Sequence, residues 1–230
     1  MAIRQRAVHA EDKQERHHAI LDAAERLLGQ APARVANVSE VADEAGLAKG
    51  TVYLYFPSKD DLLLAVHERR VDEFFLALTA FLKSPAQVNL DAILALTRAH
   101  MIDRPTFLPL ATRCFGVVQN EVPRETALAF KARMFQRLGT AGAGLERHFP
   151  ELPPGGGITL LRHSYALIVG LWQMSANADL QDADGGVCSV GRLDYPRELD
   201  SALRALWEGT IGRRLAVAEG AAAAAHAETA

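Results

Sequence analysis

The sequence has little cysteine and no long apolar run, and each shortage excludes a class of protein. Only Cys114 and Cys188 occur among 230 residues, which is too few for a disulfide-stabilised secreted domain and fits a reducing compartment. No apolar stretch approaches the roughly 20 residues that span a bilayer, and residues 1–16 lack the apolar core of a signal peptide. We therefore expect a cytoplasmic protein with no membrane partner.

Motifs for catalysis and for nucleotide binding are also missing. No serine lies in a Gly-x-Ser-x-Gly elbow, and Gly155-Gly156-Gly157 has neither a preceding strand nor a following Lys-Ser or Lys-Thr pair. The adjacent His17 and His18 are interpreted as surface residues rather than metal ligands. The sequence thus predicts no enzyme, no metal and no cofactor.

Helical periodicity is present along nearly the whole chain. Apolar residues recur at spacings of three and four, with almost no β-branched alternation, so we predict an all-α fold. Caps, prolines and glycines place the helices at about 13–28, 37–46, 48–56, 58–82, 89–103, 105–120, 123–148, 158–178 and 196–217. The first 12 or so residues are expected to form a flexible arm carrying Arg4 and Arg6, residues 182–186 a flexible loop, and the Ala-rich residues 218–230 a frayed tail.

Two short predicted helices flank Ala45-Gly46-Leu47, which is the arrangement of a helix-turn-helix. Asn37 and Glu40 have the spacing of a capping box at the start of the first of these helices. Gly46 supplies the left-handed backbone conformation that a sharp turn needs. We therefore predict an N-terminal helix-turn-helix domain of three helices over residues 1–60, followed by a second helical domain over residues 61–217.

The charge of the chain supports DNA binding only when its distribution along the sequence is considered. The formal net charge of −3 argues against nucleic acid, because DNA affinity depends on neutralising phosphates with Lys and Arg. Between Glu44 and Asp60, however, no acid occurs, while Lys49 and Lys59 contribute a local charge of +2. The second helix of the motif, which enters the major groove in such proteins, is therefore free of acids.

These same segments resemble a known signature. The run from Val38 to Ala42 (VSEVA), followed by the run from Ala45 to Lys59 (AGLAKGTVYLYFPSK), is similar to that of the TetR family of transcriptional repressors. The resemblance covers about residues 13–66 and is specific in residue identity and spacing. The remaining two thirds of the chain resembles the family only in length and helical pattern. Leu54 and Ala36 depart from the family pattern, which more often has a polar or aromatic residue and a threonine there.

The resemblance implies roles for individual residues. Lys49, Gly50 and Thr51 would lie near base edges, Tyr53 would bond a phosphate, and Lys59 with the start of the fourth helix would hold the DNA backbone. Tyr55 and Phe56 are interpreted as core aromatics instead. The full set of predicted DNA contacts is Ser39, Lys49, Gly50, Thr51, Tyr53, Leu54 and Lys59.

The second domain offers candidates for effector binding on its apolar stripes. Long apolar helices can enclose a cavity in which a few polar groups orient a ligand. The candidates, each also compatible with an ordinary core position, are Thr97, Met101, Phe107, Cys114, Tyr165 and Trp172. The helix at 158–178 is apolar on more than one side, and the family resemblance implies a homodimer through the last two long helices.

These observations predict a repressor that leaves a pseudo-palindromic double-stranded DNA operator when a small hydrophobic effector binds. Two alternatives stay open, namely a DNA-binding dimer without an effector and an all-α binding module or enzyme with an incidental motif.

Overall fold

The chain folds into nine helices over the residues that the structure, a computed structural model, describes: 2–31, 34, 36–84, 88–120, 122–181 and 194–227. The helices are α1 (Ala2–Gln30), α2 (Val38–Ala45), α3 (Lys49–Tyr55), α4 (Lys59–Lys83), α5 (Leu90–Thr97), α6 (Phe107–Asn120), α7 (Arg124–His148), α8 (Gly156–Gln181) and α9 (Tyr195–Ala227). A single π-helical turn, Arg98–Ile102, follows α5. No strand occurs in the described ranges, and the predicted all-α fold is confirmed.

Both ends of the chain depart from the expectation. The segment expected to be a flexible arm is the first part of α1, which begins at Ala2 rather than near Lys13. Neither proline nor glycine interrupts residues 2–28, so nothing local stops the helix. The Ala-rich segment expected to fray continues α9 to Ala227, because alanine has the highest intrinsic helix propensity. The loop expected at 182–186 lies outside the described residues.

Packing divides the chain into two compact units. Unit 1 comprises residues 1–72 and 100–131, and unit 2 comprises residues 73–99 and 132–230. The division falls inside α4, between Asp72 and Glu73, as the expected boundary within the fourth helix does, but it also assigns α6 to unit 1. The functional division at residues 60 and 61 stays a prediction.

In unit 1, the long helix α1 positions the motif helices. Its stripe of Ile20, Ala23, Ala24 and Leu28 is buried, as are Val38, Val41 and Ala42 of α2. Ion pairs complete the arrangement: Arg69 of α4 contacts Glu25 and Asp22 of α1 at 2.6 and 2.7 Å, and Arg26 of α1 contacts Glu44 of α2 at 2.6 Å. The carboxylates of Asp22 and Glu25 on α1 and of Glu44 on α2 are therefore engaged in ion pairs.

In unit 2, close backbone contact and buried polar pairs join the last helices. A Cβ on Gly157 would lie 2.3 Å from the Gly142 carbonyl oxygen, so α7 and the start of α8 meet where only glycine fits. The indole N–H of buried Trp207 donates to Ser164 Oγ at 2.9 Å, and Tyr195 Oη donates to the Ile168 carbonyl at 3.0 Å. These bonds hold α9 against α8.

Candidate nucleic-acid interface

The first helix of the motif begins and ends as its sequence predicts. Asn37 Oδ1 accepts from the amides of Ser39 and Glu40 at 2.9 and 3.0 Å, and the Glu40 carboxylate accepts from the Asn37 amide at 2.8 Å. Gly46 ends α2 with a φ of 67°, a conformation that glycine adopts without strain. The predicted capping box and turn are both confirmed, and they set the direction in which the chain enters α3.

Helix α3 is anchored by one face and presents the other. Val52 is fully buried and Phe56, directly after the helix, is 4% exposed. The ring of Phe56 lies 5.0 Å from that of His17 on α1, and half-buried Tyr55 lies 6.3 Å from the same imidazole. The interpretation of Phe56 as a core aromatic agrees with its burial, whereas Tyr55 is only half-buried. The opposite face of α3 is left to solvent.

The predicted DNA contacts on α3 lie on that exposed face. Lys49 and Gly50 are exposed, Thr51 is half-buried, and Tyr53 and Leu54 are 43% and 83% exposed. A Cβ built on Gly50 meets nothing within 4 Å, so the protein leaves open space over this turn. Helix α3 itself contributes no acid to this face, because the nearest acids in sequence are Glu44 and Asp60.

The predicted contacts outside α3 lie at the starts of α2 and α4. Ser39 is half-buried and Lys59 is exposed. Lys59 is followed by Asp60 and Asp61, and Ser58 Oγ both accepts from the Asp61 amide at 3.0 Å and donates to the Asp61 carboxylate at 2.7 Å. The acids and the cap already satisfy this helix start. Its attraction for a phosphate therefore depends on Lys59 rather than on the helix dipole.

Glu40 of α2, an acid beside the interface, is held in its charged form. The hydrogen bond from Arg34 is the main cause that lowers the pKa of Glu40, with smaller contributions from the Asn37 amide and from the charges of Arg34 and Lys59. The charge of Glu40 is therefore directed into the capping box and toward Arg34.

The candidate effector contacts are distributed over both units. Met101, Phe107 and Cys114 belong to unit 1, while Thr97, Tyr165 and Trp172 belong to unit 2. Thr97, Met101, Phe107 and Cys114 are buried, and Tyr165 and Trp172 are half-buried. Thr97 Oγ1 donates to the Ile93 carbonyl at 2.9 Å, and burial raises the pKa of the Cys114 thiol to about 12. The hydroxyl is therefore already bonded, and the thiol is neutral at physiological pH.

The buried polar residue His67 was not among the residues that the sequence predicted to be functional. His67 of α4 is 4% exposed, its ring centroid lies 5.7 Å from that of Phe107 with the ring planes tilted, and its Nδ1 has no hydrogen-bond partner among the described residues. Burial lowers its pKa to about 4, against a smaller opposite effect of Glu68. Its position four residues after Leu63, on the apolar stripe of α4, is the signal that could have identified it.

Comparison with known families matches both parts of the chain. Residues 20–66 match the model of the bacterial regulatory proteins of the tetR family. Residues 68–214 match the model of the tetracyclin repressor-like C-terminal domain. The second match alone covers more than half of the 230 residues. The α2–α3 surface described above lies within the first match.

Individual proteins give the same picture over shorter stretches. The chain is 37% identical over 75 residues to the HTH-type transcriptional regulator EthR of Mycobacterium tuberculosis, over 33% of this chain and 35% of that protein. It is 34% identical over 62 residues to the fatty acid metabolism regulator protein of Bacillus subtilis, over 27% and 32% of the two chains. The chain thus spans about a third of the length of these relatives.

A solved structure shares the fold at greater length. The crystal structure of a Mesorhizobium loti protein assigned to the TetR family of transcriptional regulators superposes with a TM-score of 0.54 and 18% sequence identity. The superposition covers 84% of this chain and 95% of that one. At this level of identity the likeness concerns the helical fold alone.

Proposed function

This chain belongs to the TetR family of bacterial regulatory proteins and is a DNA-binding transcriptional regulator; from that premise we propose that it is a homodimeric repressor released from its operator by a small apolar effector. Family membership also identifies it as a regulator and not an enzyme. The observation that carries the proposal is the acid-free exposed face of α3, with Lys49, Tyr53 and Leu54 at its surface.

The geometry of α3 supports insertion into the major groove. The helix is seven residues long, and its outer face carries no acid and, at Gly50, no side chain. A major groove about 12 Å wide admits a helix whose outward side chains are short or carry donors. Lys49 and Thr51 supply donors near the base edges, while Tyr53 and Lys59 supply donors for phosphates.

The test is binding of fluorescently labelled duplex DNA from the region upstream of the chain's own gene. We expect nanomolar-range dissociation constants and a steep loss of affinity with salt, as phosphate contacts require. Absence of binding at about 50 mM salt would contradict the proposal. Lys59→Ala should weaken binding to operator and random DNA alike and flatten the salt dependence. Lys83→Ala, at the far end of the same helix, is the matched control.

Dimerisation is proposed through α8 and α9. Ala205, Gly209 and Gly212 recur on one exposed face of α9, and a Cβ on Gly209 or Gly212 meets nothing within 4 Å. Small side chains let two helix backbones approach closely. A two-fold dimer places its half-sites roughly 34–36 Å apart, or a multiple of that distance, on a pseudo-palindromic operator. Gly209→Arg should give a monomer in analytical ultracentrifugation, whereas Gly139→Arg, which also has open space, should not.

Effector release is the third part of the proposal. Phe107, Met101 and Cys114 are apolar residues of unit 1, and Nδ1 of nearby His67, which has no partner among the residues that the structure describes, is a polar group able to orient a ligand. The candidates in unit 2 are Thr97, Tyr165 and Trp172. A thermal-shift screen of hydrophobic metabolites tests this part, since a bound ligand stabilises the fold in proportion to its affinity. A compound that raises Tm without weakening DNA binding would contradict the release mechanism.

A further inference from the structure

The outermost side chain of α3 is a leucine. Leu54 is 83% exposed, more than the other large apolar side chains for which the structure gives an exposure, such as Leu76 at 71% and Phe135 at 68%. A single exposed leucine on a surface is ordinary and by itself indicates no function. A second feature of the same helix face, at Gly50, makes the exposure of Leu54 informative.

That second feature is the empty position one turn before it. Gly50 and Leu54 are separated by four residues, so they lie on one face of the helix, opposite the fully buried Val52. A Cβ at Gly50 would meet nothing within 4 Å. The outward face of α3 therefore presents bare backbone at Gly50, followed one turn later by the exposed methyl groups of Leu54.

The chemistry of the leucine side chain restricts what it can recognise there. It can donate no hydrogen bond and accept none, so it contributes nothing to phosphate oxygens or to the polar edges of bases. The apolar group that the major groove displays is the C5-methyl of thymine. Lys49, Thr51 and Tyr53 carry the polar contacts around it.

From this geometry we infer that Leu54 is a specificity-determining residue that packs on thymine methyl groups, so that each half-site of the operator contains a thymine facing Leu54. The inference depends on the proposed DNA binding by α3. It names the apolar contact within that binding, and it predicts that affinity for the operator depends on a single methyl group in each half-site.

The experiment starts from a randomised duplex library selected on the wild-type protein. The enriched sequence is then synthesised with deoxyuridine at one thymine position at a time, which removes only the methyl group. We expect one position in each half-site at which this change weakens wild-type binding about fourfold, the value for one buried methyl group. The same change should have no effect on Leu54→Ala. Leu76→Ala, an exposed leucine of α4, is the matched control and should retain the full methyl dependence.

The possible outcomes distinguish a failure of this inference from a failure of the proposed DNA binding. If no sequence is enriched, the proposed DNA binding fails and the inference with it. If a sequence is enriched but no thymine shows methyl dependence, or if the dependence persists in Leu54→Ala, the role of Leu54 is overturned while DNA binding by α3 stands. Exchange of the critical T·A pair for C·G should also lower affinity. Replacing that cytosine with 5-methylcytosine should then restore binding of the wild-type protein but not of Leu54→Ala.

Discussion

The α2–α3 motif and the α8–α9 pair use polar and apolar side chains in opposite ways. In α8 and α9, polar atoms are buried and paired, as in the bond from Trp207 to Ser164. In α3, large apolar and aromatic groups, Leu54 and Tyr53, are exposed although core positions would suit them better. The difference indicates that the buried contacts between α8 and α9 stabilise the fold, whereas the exposed side chains of α3 are available to a partner outside the chain.

The largest expected effect is at the buried indole. Trp207→Ala should lower the free energy of unfolding by about 3–5 kcal/mol, because it leaves a large cavity between α8 and α9. Ser164→Ala should cost about 1–3 kcal/mol, because the indole N–H of Trp207 loses its acceptor. Urea unfolding followed by tryptophan fluorescence and circular dichroism measures both. A loss below about 1 kcal/mol for Trp207→Ala would show that this pair is not what holds α9.

The next effect concerns His67, which breaks the rule that buried polar groups are paired. Burial lowers its pKa to about 4 from 6.5, so the folded state excludes a proton that the unfolded state binds. The titration of His67 therefore leaves the free energy of unfolding unchanged above pH 6.5 and lowers it by up to about 3 kcal/mol as pH falls to 4.

His67→Phe removes this titration. Its unfolding free energy should exceed that of the wild type at every pH, and the difference should widen between pH 6.5 and 4. Thermal unfolding at pH 7.5, 6.0 and 5.0 provides the comparison. A constant difference between the two proteins would mean that the imidazole binds its proton equally in both states.

A smaller effect is expected at the helix caps. Asn37→Ala should destabilise the protein by about 1 kcal/mol, because the start of α2 loses its acceptor. Asn89→Ala is the matched control, since its side chain caps α5 by the same kind of bond, 2.9 Å from the Ala92 amide. Chemical denaturation should show similar losses for both, while only Asn37→Ala should weaken DNA binding. If the two variants had the same DNA affinity, the capping box would not be needed to orient α3 for binding.

The smallest change in stability carries a large change in function. Gly50→Ala should stabilise the protein by about 0.5–1 kcal/mol, because glycine is unfavourable inside a helix and the new methyl meets no atom of the chain. Gly139→Ala in α7 has the same open space and should give a similar gain. Only Gly50→Ala should lose DNA affinity, as electrophoretic mobility shifts can measure. Unchanged affinity would show that α3 does not approach the DNA by this face.

Much of the motif could be predicted from neighbouring residues. The capping box of Asn37 and Glu40, the turn at Gly46 and the anchoring role of Phe56 follow from contacts within a few residues, which the sequence displays directly. The ends of α1 and α9 could not be placed as well, because high helix propensity without a stop signal leaves a helix end undetermined. The effector candidates were selected by periodicity alone, which indicates burial and says nothing of which buried residues meet.

The sequence by itself determined that the chain is helical, where α2 and α3 begin and end, and that no acid lies between residues 44 and 60. Only the tertiary structure decided which side of α3 is outward, that buried His67 has no partner for Nδ1 within the described part of the chain, and that Ser164 accepts the Trp207 N–H from 43 residues away. The physical reason is range. Caps, turns and propensities act over about four residues, whereas burial and the pairing of buried polar groups depend on residues brought together from distant parts of the chain.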